Sequence, residues 1–249
     1  MFAACPPMAL LVVFLFVSGE SPAQTEVAPR ESTAGALVIV GGGGTPDVAK
    51  QRALALAGGD QARVLIFAQA STRTESGDAI AAMWRQAGAR NTTVADLTNR
   101  PSVVEALESA TLIWFGGGSQ NRLMAALTEH DLVLAIRRRH QAGAVVGGTS
   151  AGAAVLSDPM VSGKVEDSGI VAAGTELKPG LGLIQGVLLD QHFLARRRIQ
   201  RLTSAILDHP DLLGVGIDER CAIVVRSGSF EVLGQGSVIV IDARAATVS

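Results

Sequence analysis

The chain has 249 residues, of which 48% are hydrophobic and 18% charged, and its formal net charge at pH 7 is −2. This length suits one large α/β domain with a sizeable core, and the composition excludes a globally disordered chain. The near-neutral charge and the absence of a long basic run argue against a nucleic-acid-binding protein, because neutralising phosphates requires clustered lysines and arginines.

The N-terminal segment predicts a secretory signal that is not part of the fold. Residues 8–17 form an apolar run, MALLVVFLFV, that is too short to span a membrane, and small residues for signal peptidase follow at Ser21-Pro22-Ala23. We therefore expect residues 1–23 to be a cleaved signal peptide and residues 24–35 to be a linker. Cleavage predicts a secreted or periplasmic protein without stable membrane association, and an uncleaved N-terminal anchor is the alternative.

Residues 36–249 predict a single α/β domain, because apolar strands and helical segments alternate along them. The first strand, 36–40, is continuously apolar, as expected for a parallel sheet that helices cover on both faces. The glycines at 41–44 that follow it predict a tight loop at the edge of a site. The other predicted strands are 63–68, 92–96, 111–115, 144–147, 187–189 and 213–217, with antiparallel strands 222–225, 230–233 and 237–242 at the C-terminal end. The predicted helices are 47–57, 78–87, 102–110, 120–127, 132–142, 153–156 and one that ends at His209-Pro210.

Residues 148–152 fit G-x-S-x-G, the nucleophile elbow. They follow the strand 144–147 and precede a helical segment of small residues, which is the context that this motif requires. Ser150 is therefore the candidate nucleophile. The N–H of Ala151, at the start of the helix, can stabilise the oxyanion that forms when a serine attacks a carbonyl. An ordinary glycine-rich turn is the alternative.

A second glycine loop, at 116–118, follows the strand 111–115 and lies at the same edge of the predicted sheet. Gly118 is the expected second oxyanion donor. Gln120 is expected to orient the substrate, although its position also suits the first residue of a helix. The long loop at 161–181 has the length of a lid or a binding loop.

The densest polar cluster begins at Asp190-Gln191-His192, at the end of a predicted strand. His192 is the candidate base, because it follows a strand, lies beside Asp190 and is downstream of the serine. Asp218 and Glu219 follow the next strand, and either carboxylate could hold the imidazole tautomer. Arginines close to His192 predict a pocket for carboxylates, although a solvated helix face would have the same composition. These arginines are Arg196, Arg197, Arg198 and Arg201.

We expect neither a metal nor another cofactor, because the four histidines are not paired at ligand spacing. Removal of the signal peptide would leave Cys221 as the only cysteine, which excludes an internal disulfide. We interpret Cys221 as a small core residue, with a catalytic thiol as the minority alternative.

Together these segments resemble the cyanophycinases, serine exopeptidases related to the aspartyl dipeptidases and, in fold, to the class I glutamine amidotransferases. The resemblance extends over most of residues 36–244 and departs from the family at Ser119, where an aspartate is usual. The most discriminating segment is DQHFLARRRIQRL at 190–202. The other motifs are VGGG at 40–43, FGGGSQNRL at 115–123, GGTSAGAAV at 147–155, GLGL at 180–183, HPDLLGVGIDE at 209–219 and GQGSVIVIDAR at 234–244.

The resemblance implies a mostly parallel central sheet with helices on both faces, and Ser150, His192 and Glu219 as nucleophile, base and acid. It implies hydrolysis of cyanophycin, a polyaspartate whose side chains carry arginine through isopeptide bonds, to β-aspartyl-arginine dipeptides. A short aspartyl or isoaspartyl peptide is the alternative substrate, and a catalytically dead secreted binding protein is the alternative function. A homodimer is considered, and a nucleic-acid partner is not expected. The implied substrate contacts are Gln120, Asp190, Gln191, Arg196, Arg198 and Arg201, with Arg197 at the surface.

Overall fold

The computed structural model describes residues 10–14, 34–163 and 169–246. Strands and helices alternate as the sequence predicts, and the predicted bounds lie within two residues of the observed ones. The strands are β1 (Leu10–Phe14), β2 (Leu37–Val40), β3 (Arg63–Phe67), β4 (Asn91–Val94), β5 (Leu112–Phe115), β6 (Val145–Thr149), β7 (Met160–Val161), β8 (Leu177–Lys178), β9 (Val187–Gln191), β10 (Leu213–Ile217), β11 (Cys221–Arg226), β12 (Ser229–Gly234) and β13 (Val238–Asp242). The helices are α1 (Asp47–Leu56), α2 (Ser76–Gln86), α3 (Arg100–Ser109), α4 (Gln120–Glu129), α5 (Val133–Gln141), α6 (Ala151–Ala154) and α7 (Ile199–Asp208), with a short 3₁₀ turn at Gly59–Gln61.

The main sheet has seven strands in the order β12-β11-β2-β6-β5-β3-β4. Strands β2 to β6 are parallel, and β11 and β12 add antiparallel strands at one edge. The parallel strands are apolar because both faces are covered. Along β2, Leu37 and Ile39 enter one core cluster, whereas Val38 and Val40 enter the other. The carboxyl ends of β2, β5 and β6 therefore meet at one edge, where sites of parallel sheets form.

Strands β9 and β10 belong to a separate sheet, which the alternation of elements does not predict. This sheet has four strands in the order β1-β13-β10-β9. β9 and β10 are parallel, with Gln191 opposite Ile217, so the residues that follow the two strands lie side by side. Phe193 packs against this sheet at Gly216, where a Cβ would lie 2.4 Å from the phenyl ring.

Strand β1 lies within the expected signal peptide and runs along the edge of β13, with Leu10 opposite Val238. Its neighbours in the expected signal peptide, and most of the expected linker, lie outside the described residues. In the parts of the chain that the structure describes, we find no helix with the length and apolarity needed to cross a membrane.

The long loop predicted at 161–181 contains β8, which pairs antiparallel with β7. Its described part is attached to α7. The backbone N–H of Val171 donates to Ser204 Oγ (3.0 Å), and that of Ala173 donates to Asp208 Oδ2 (2.8 Å). Residues 164–168 of this loop lie outside the described residues.

Candidate active site

Ser150 lies at a sharp turn between β6 and α6 and has a φ of 56°, which is uncommon for a residue other than glycine. Its backbone N–H donates to Val40 O (3.0 Å), which ties the turn to the end of β2. Close approach explains the flanking glycines. A Cβ at Gly148 would lie 2.3 Å from Gly152 O, and one at Gly152 would lie 2.2 Å from Phe115 O. The turn is therefore a strained elbow held in place by neighbouring strands.

A continuous hydrogen-bond chain joins Ser150, His192 and Glu219. The hydroxyl of Ser150 donates to His192 Nε2 (2.8 Å), and His192 Nδ1–H donates to Glu219 Oε1 (2.6 Å). Because an ionised carboxylate only accepts, Glu219 sets the imidazole tautomer with its proton on Nδ1. Nε2 is then free to accept the serine proton, as a general base beside a nucleophile must.

The first glycine loop positions the His192–Glu219 pair. His192 itself has a φ of 49°, and its N–H donates to Gly41 O (2.7 Å). A Cβ at Gly42 would lie 2.3 Å from His192 Cε1, and one at Gly43 would lie 2.7 Å from Glu219 Cβ. The loop is thus the wall against which the imidazole and the carboxylate pack, so it lies at the edge of the candidate site.

The structure distinguishes the two carboxylates that position after β10 leaves open, of which the family resemblance implies Glu219. Glu219 binds the imidazole, whereas Asp218 Oδ1 accepts the backbone N–H groups of Leu194 (3.2 Å) and Ala195 (3.0 Å). Asp218 therefore holds the turn that follows His192. Two consecutive residues after β10 fix both the ring and the backbone of the candidate base.

Burial has the largest effect on the pKa of His192 and lowers it. The hydrogen bond to Glu219 raises the pKa and the charge of Arg196 lowers it, and the net pKa is below the ordinary value. A base with a lowered pKa remains neutral, and able to accept a proton, at more acidic pH. At Cys221, by contrast, burial raises the pKa of the thiol to about 11, so no thiolate forms at neutral pH.

Of the two expected oxyanion donors, Ala151 directly follows Ser150, and Gly118 directly follows a residue that contacts Ser150. Ala151 is the first residue of α6, so its N–H has no partner within that helix. In the second glycine loop, Gly117 packs against the nucleophile, since a Cβ there would lie 3.4 Å from Ser150 Cβ. Gly118 packs against Ala70, because a Cβ at Gly118 would lie 2.2 Å from Ala70 O. The N–H of Gly118 lies in the peptide bond that follows Gly117, and Gly118 stays the expected second donor.

Gln120 is buried, and its Nε2 donates to Val161 O (3.0 Å). The next residue, Asn121, makes a similar contact, since its Nδ2 donates to Ser162 O (3.1 Å). The start of α4 therefore holds the beginning of the 161–181 loop. This contact differs from the expected presentation of the Gln120 amide to substrate, and nothing in the sequence pattern singled out Asn121.

Ser119 is the N-cap of α4, and its hydroxyl accepts the backbone N–H of Arg122 (3.3 Å). Serine and aspartate are both favoured at this position, because each offers a side-chain oxygen to the free N–H groups of the first turn. The departure from the resembled family at Ser119 therefore preserves the cap.

Asp190 and Arg201 are buried against each other, with side-chain exposures of 0% and 2%. Arg201 Nε donates to Asp190 Oδ2 (2.6 Å), and Arg201 Nη2 donates to Oδ1. Arg198 Nη1 donates to Gln191 O (2.6 Å) and Oε1 (2.7 Å). This arrangement differs from the expected carboxylate pocket, because these guanidinium groups bind acceptors of the chain itself. Among the described residues, Arg201 Nη1 has no hydrogen-bond partner.

Arg196 and Arg197 are exposed, and of these two Arg196 is the one whose charge lowers the pKa of His192, as the charge of the half-buried Arg198 also does. Arg196 is therefore the expected substrate-binding arginine that combines exposure with an electrostatic effect on the base. Within the described residues, no group of three or more histidine, cysteine, aspartate or glutamate side chains is placed to hold a metal ion.

Two solved structures have a similar fold. A peptidase from an acI-B1 Actinobacterium matches with a TM-score of 0.61 and 24% identity, over 82% of this chain and 89% of that one. A putative peptidase E protein from Listeria monocytogenes matches with a TM-score of 0.62 and 18% identity, over 81% of this chain and 98% of that one. At these identities the likeness supports the fold alone.

Curated relatives are more similar in sequence. The cyanophycinase of Geminocystis herdmanii is 38% identical over 203 residues, which cover 78% of this chain and 75% of that protein. The cyanophycinase of Nostoc sp. is 36% identical over 194 residues, which cover 75% of this chain and 65% of that protein. That of Synechococcus elongatus is 45% identical over 140 residues, which cover 55% of this chain and 44% of that protein.

The model of Peptidase family S51 matches residues 36–233, which include both glycine loops, the elbow and all three residues of the hydrogen-bond chain. The chain is a serine-type peptidase and belongs to Peptidase family S51.

Proposed function

We propose that this chain is a serine exopeptidase that hydrolyses cyanophycin and releases β-aspartyl-arginine dipeptides. The observation that carries the proposal is the hydrogen-bond chain from Ser150 through His192 to Glu219. The substrate is supported by relatives named cyanophycinase at 36–45% identity. It is supported as well by the positive charge of Arg196 beside the base, because every repeat of cyanophycin carries a carboxylate.

In the acylation step, Ser150 Oγ attacks the carbonyl carbon of the scissile bond while its proton moves to His192 Nε2. Glu219 stabilises the imidazolium through the proton on Nδ1. The N–H groups of Ala151 and Gly118 stabilise the negative charge on the carbonyl oxygen. The tetrahedral intermediate collapses, the carbon–nitrogen bond breaks, and His192 returns the proton to the leaving amine, which leaves an acyl ester on Ser150.

In the deacylation step, a water molecule attacks the acyl ester, and His192 Nε2 accepts one of the water protons. The second tetrahedral intermediate breaks its bond to Ser150 Oγ, which recovers its proton from His192. The products are a free carboxylate and the regenerated hydroxyl, so one water is consumed for each bond cleaved.

The test is incubation of the chain lacking residues 1–23 with insoluble cyanophycin, followed by mass spectrometry of the soluble products. We expect release of β-aspartyl-arginine. In Ser150→Ala the rate should fall by roughly 10⁶-fold, the order seen when a triad nucleophile is removed. Circular dichroism of Ser150→Ala should match that of the unmutated protein. Retained turnover in Ser150→Ala would remove the serine from its proposed role.

Short aspartyl and isoaspartyl dipeptides should be assayed in parallel. The relatives above do not favour a dipeptidase, and we expect slower turnover of these peptides than of cyanophycin. Turnover of the dipeptides without release of β-aspartyl-arginine from cyanophycin would make a short aspartyl peptide the substrate. A protein that binds cyanophycin without turning over any of these substrates would instead be the catalytically dead binding protein.

We also propose that the enzyme is exported, because residues 8–17 have the length and apolarity of a signal-peptide core. Exported enzyme would digest external polymer. The test is intact-mass analysis of the protein recovered from the periplasm and the medium. A mass corresponding to cleavage near Ala23 would support export, whereas a full-length chain retained in the membrane fraction would support an uncleaved anchor.

A further inference from the structure

A cavity lies at the same edge of the main sheet as the triad. Its volume is about 600 Å³, which falls in the range of small-molecule sites. It is bounded by the glycine loop after β2, the start of α1, the residue before β11 and the end of β12. Nothing in the mechanism above uses it.

Two residues connect this cavity to the triad. Gly43 lines the cavity, and a Cβ on it would lie 2.7 Å from Glu219 Cβ, so the glycine loop is a wall shared with the triad acid. Arg220 is the residue after Glu219 and also lines the cavity. The backbone N–H of Arg220 donates to Gly42 O (2.8 Å), which fixes the chain between the triad and the cavity.

The side chains that line the cavity combine opposite charges with an apolar wall. Arg220 is exposed and offers a guanidinium. Asp47 has a side-chain exposure of 91%, so its carboxylate can accept a ligand cation in addition to its ion pair with Lys50 (2.6 Å). Val48 is 52% exposed and Val232 contributes further apolar surface. A ligand with a carboxylate, a cation and a methylene stem fits this lining.

We propose that this cavity binds a further repeat of the polymer, beyond the bond that Ser150 cleaves. The proposal rests on the proposed function. Each repeat of cyanophycin ends in an arginine with a free α-carboxylate and a guanidinium on a methylene stem. The carboxylate binds Arg220, the guanidinium binds Asp47, and the stem lies along Val48.

The distance from the nucleophile sets which repeat reaches the cavity. β11 lies two strands from β6, which carries Ser150, and strands in a sheet are about 4.8 Å apart. The start of β11 is therefore roughly 10 Å from the elbow. An extended polyaspartate backbone advances about 3.5 Å per residue, so the backbone comes level with the cavity at about the third repeat. The backbone of a two-repeat substrate ends before that point.

The experiment compares KM for defined substrates of two and six repeats. For the unmutated protein we expect a lower KM for six repeats. Asparagine is the replacement for Arg220 because it tolerates the φ of 53° found at this position. In Arg220→Asn the advantage of six repeats in KM should shrink by roughly tenfold, which corresponds to the loss of one charge-assisted hydrogen bond. Arg220→Lys should recover part of it. The matched control is Arg226→Asn, because Arg226 is exposed at the opposite end of β11.

A second measurement removes catalysis from the comparison. In the Ser150→Ala background, the Kd of a fluorescent six-repeat substrate should rise in Arg220→Asn and stay unchanged in Arg226→Asn. An unchanged KM ratio together with an unchanged Kd overturns the second site and leaves the proposed function intact. Failure of the unmutated protein to release β-aspartyl-arginine from either substrate overturns the proposed function, and with it the second site.

Discussion

Gly42 has a role that its sequence context does not reveal. Its φ of 112° and its contact with the imidazole both require a residue without a side chain, because a Cβ would lie 2.3 Å from His192 Cε1. Gly44 has a similar φ of 99° but has no atom within 4 Å of its Cβ position. Substitutions at these two glycines therefore distinguish the effect of backbone strain from the effect of contact with His192.

We expect Gly42→Ala to lower kcat by roughly 10²-fold or more, since a displacement of about 1 Å in a catalytic group has that effect. Gly44→Ala should retain kcat near that of the unmutated protein, because it introduces only the backbone strain. Steady-state kinetics on cyanophycin, with Tm as the control for folding, make the comparison. Equal losses in the two variants would show that strain, rather than contact with His192, is responsible.

The charge of Arg196 contributes to the lowered pKa of His192, after the larger effect of burial. The base acts in its neutral form, so activity falls as the pH decreases through this pKa. Arg196→Gln removes a cause that lowers the pKa. We therefore expect the acidic limb of the kcat/KM profile to move to higher pH in this variant.

The profiles should be recorded at low ionic strength, because salt screens the effect of an exposed charge. Arg197→Gln is the control, since Arg197 is also exposed but does not contribute to the pKa of His192. If the acidic limb is unchanged in Arg196→Gln, or moves equally in both variants, the local effect of Arg196 on the base is excluded.

At the scale of elements, the buried Asp190–Arg201 pair joins the end of β9 to α7. Asp190 Oδ1 also accepts the backbone N–H of Gln191 (2.7 Å), the residue before His192. The pair therefore connects the packing of a helix to the backbone that delivers the base.

We expect Arg201→Met to lower the free energy of unfolding by about 3 kcal/mol, because it leaves the buried Asp190 carboxylate with only its longer ion pair to Arg198 Nη1 (3.8 Å). The double variant Asp190→Asn/Arg201→Met should recover part of the loss, since the unpaired charge is gone and the asparagine oxygen can still accept from Gln191. Urea unfolding provides the measurement. If Arg201→Met leaves the free energy of unfolding unchanged but raises KM for cyanophycin, the direct substrate contact that the family resemblance implies is favoured instead.

At the scale of the whole molecule, the triad is assembled where two sheets meet. Ser150 follows β6 of the main sheet, whereas His192 and Glu219 follow β9 and β10 of the smaller one. The two sheets are joined at this point by the bond from His192 N–H to Gly41 O. β1 lies at the opposite edge of the smaller sheet and pairs with β13.

Because β1 contributes to one sheet edge only, we expect a chain lacking residues 1–23 to keep its kcat within roughly twofold and its Tm within a few degrees. Enzyme kinetics and thermal unfolding of the full-length and shortened chains provide the test. A shortened chain that fails to fold, or that loses activity, would show that β1 belongs to the mature domain and would count against a cleaved signal peptide.

Local sequence patterns were sufficient to predict most of the helices and strands. Continuous apolar runs predicted β2, β3 and β5, and the G-x-S-x-G spacing predicted the turn at Ser150. Each of these features depends on a few neighbouring residues, so the sequence carries it directly. The same holds for the N-cap at Ser119, since capping is a local hydrogen bond to the first turn of α4.

The arginine cluster shows where local patterns are insufficient. Its spacing is the same whether the guanidinium groups face substrate, solvent or the interior. The structure separates them, because Arg201 is buried against Asp190, Arg198 binds Gln191, and Arg196 and Arg197 are exposed. Burial and partner depend on residues distant in sequence, so composition cannot supply them.

Local periodicity and short motifs were enough to establish the alternating α/β class, the elbow at Ser150 and the residues that could form a triad. The three-dimensional fold was needed to learn that β9 and β10 form a second sheet, that Asp218 holds the turn after His192, and that Gly42 contacts the imidazole. Strand pairing and the approach of loops are long-range contacts. Their free energies depend on the packing of the whole chain, and no segment encodes them alone.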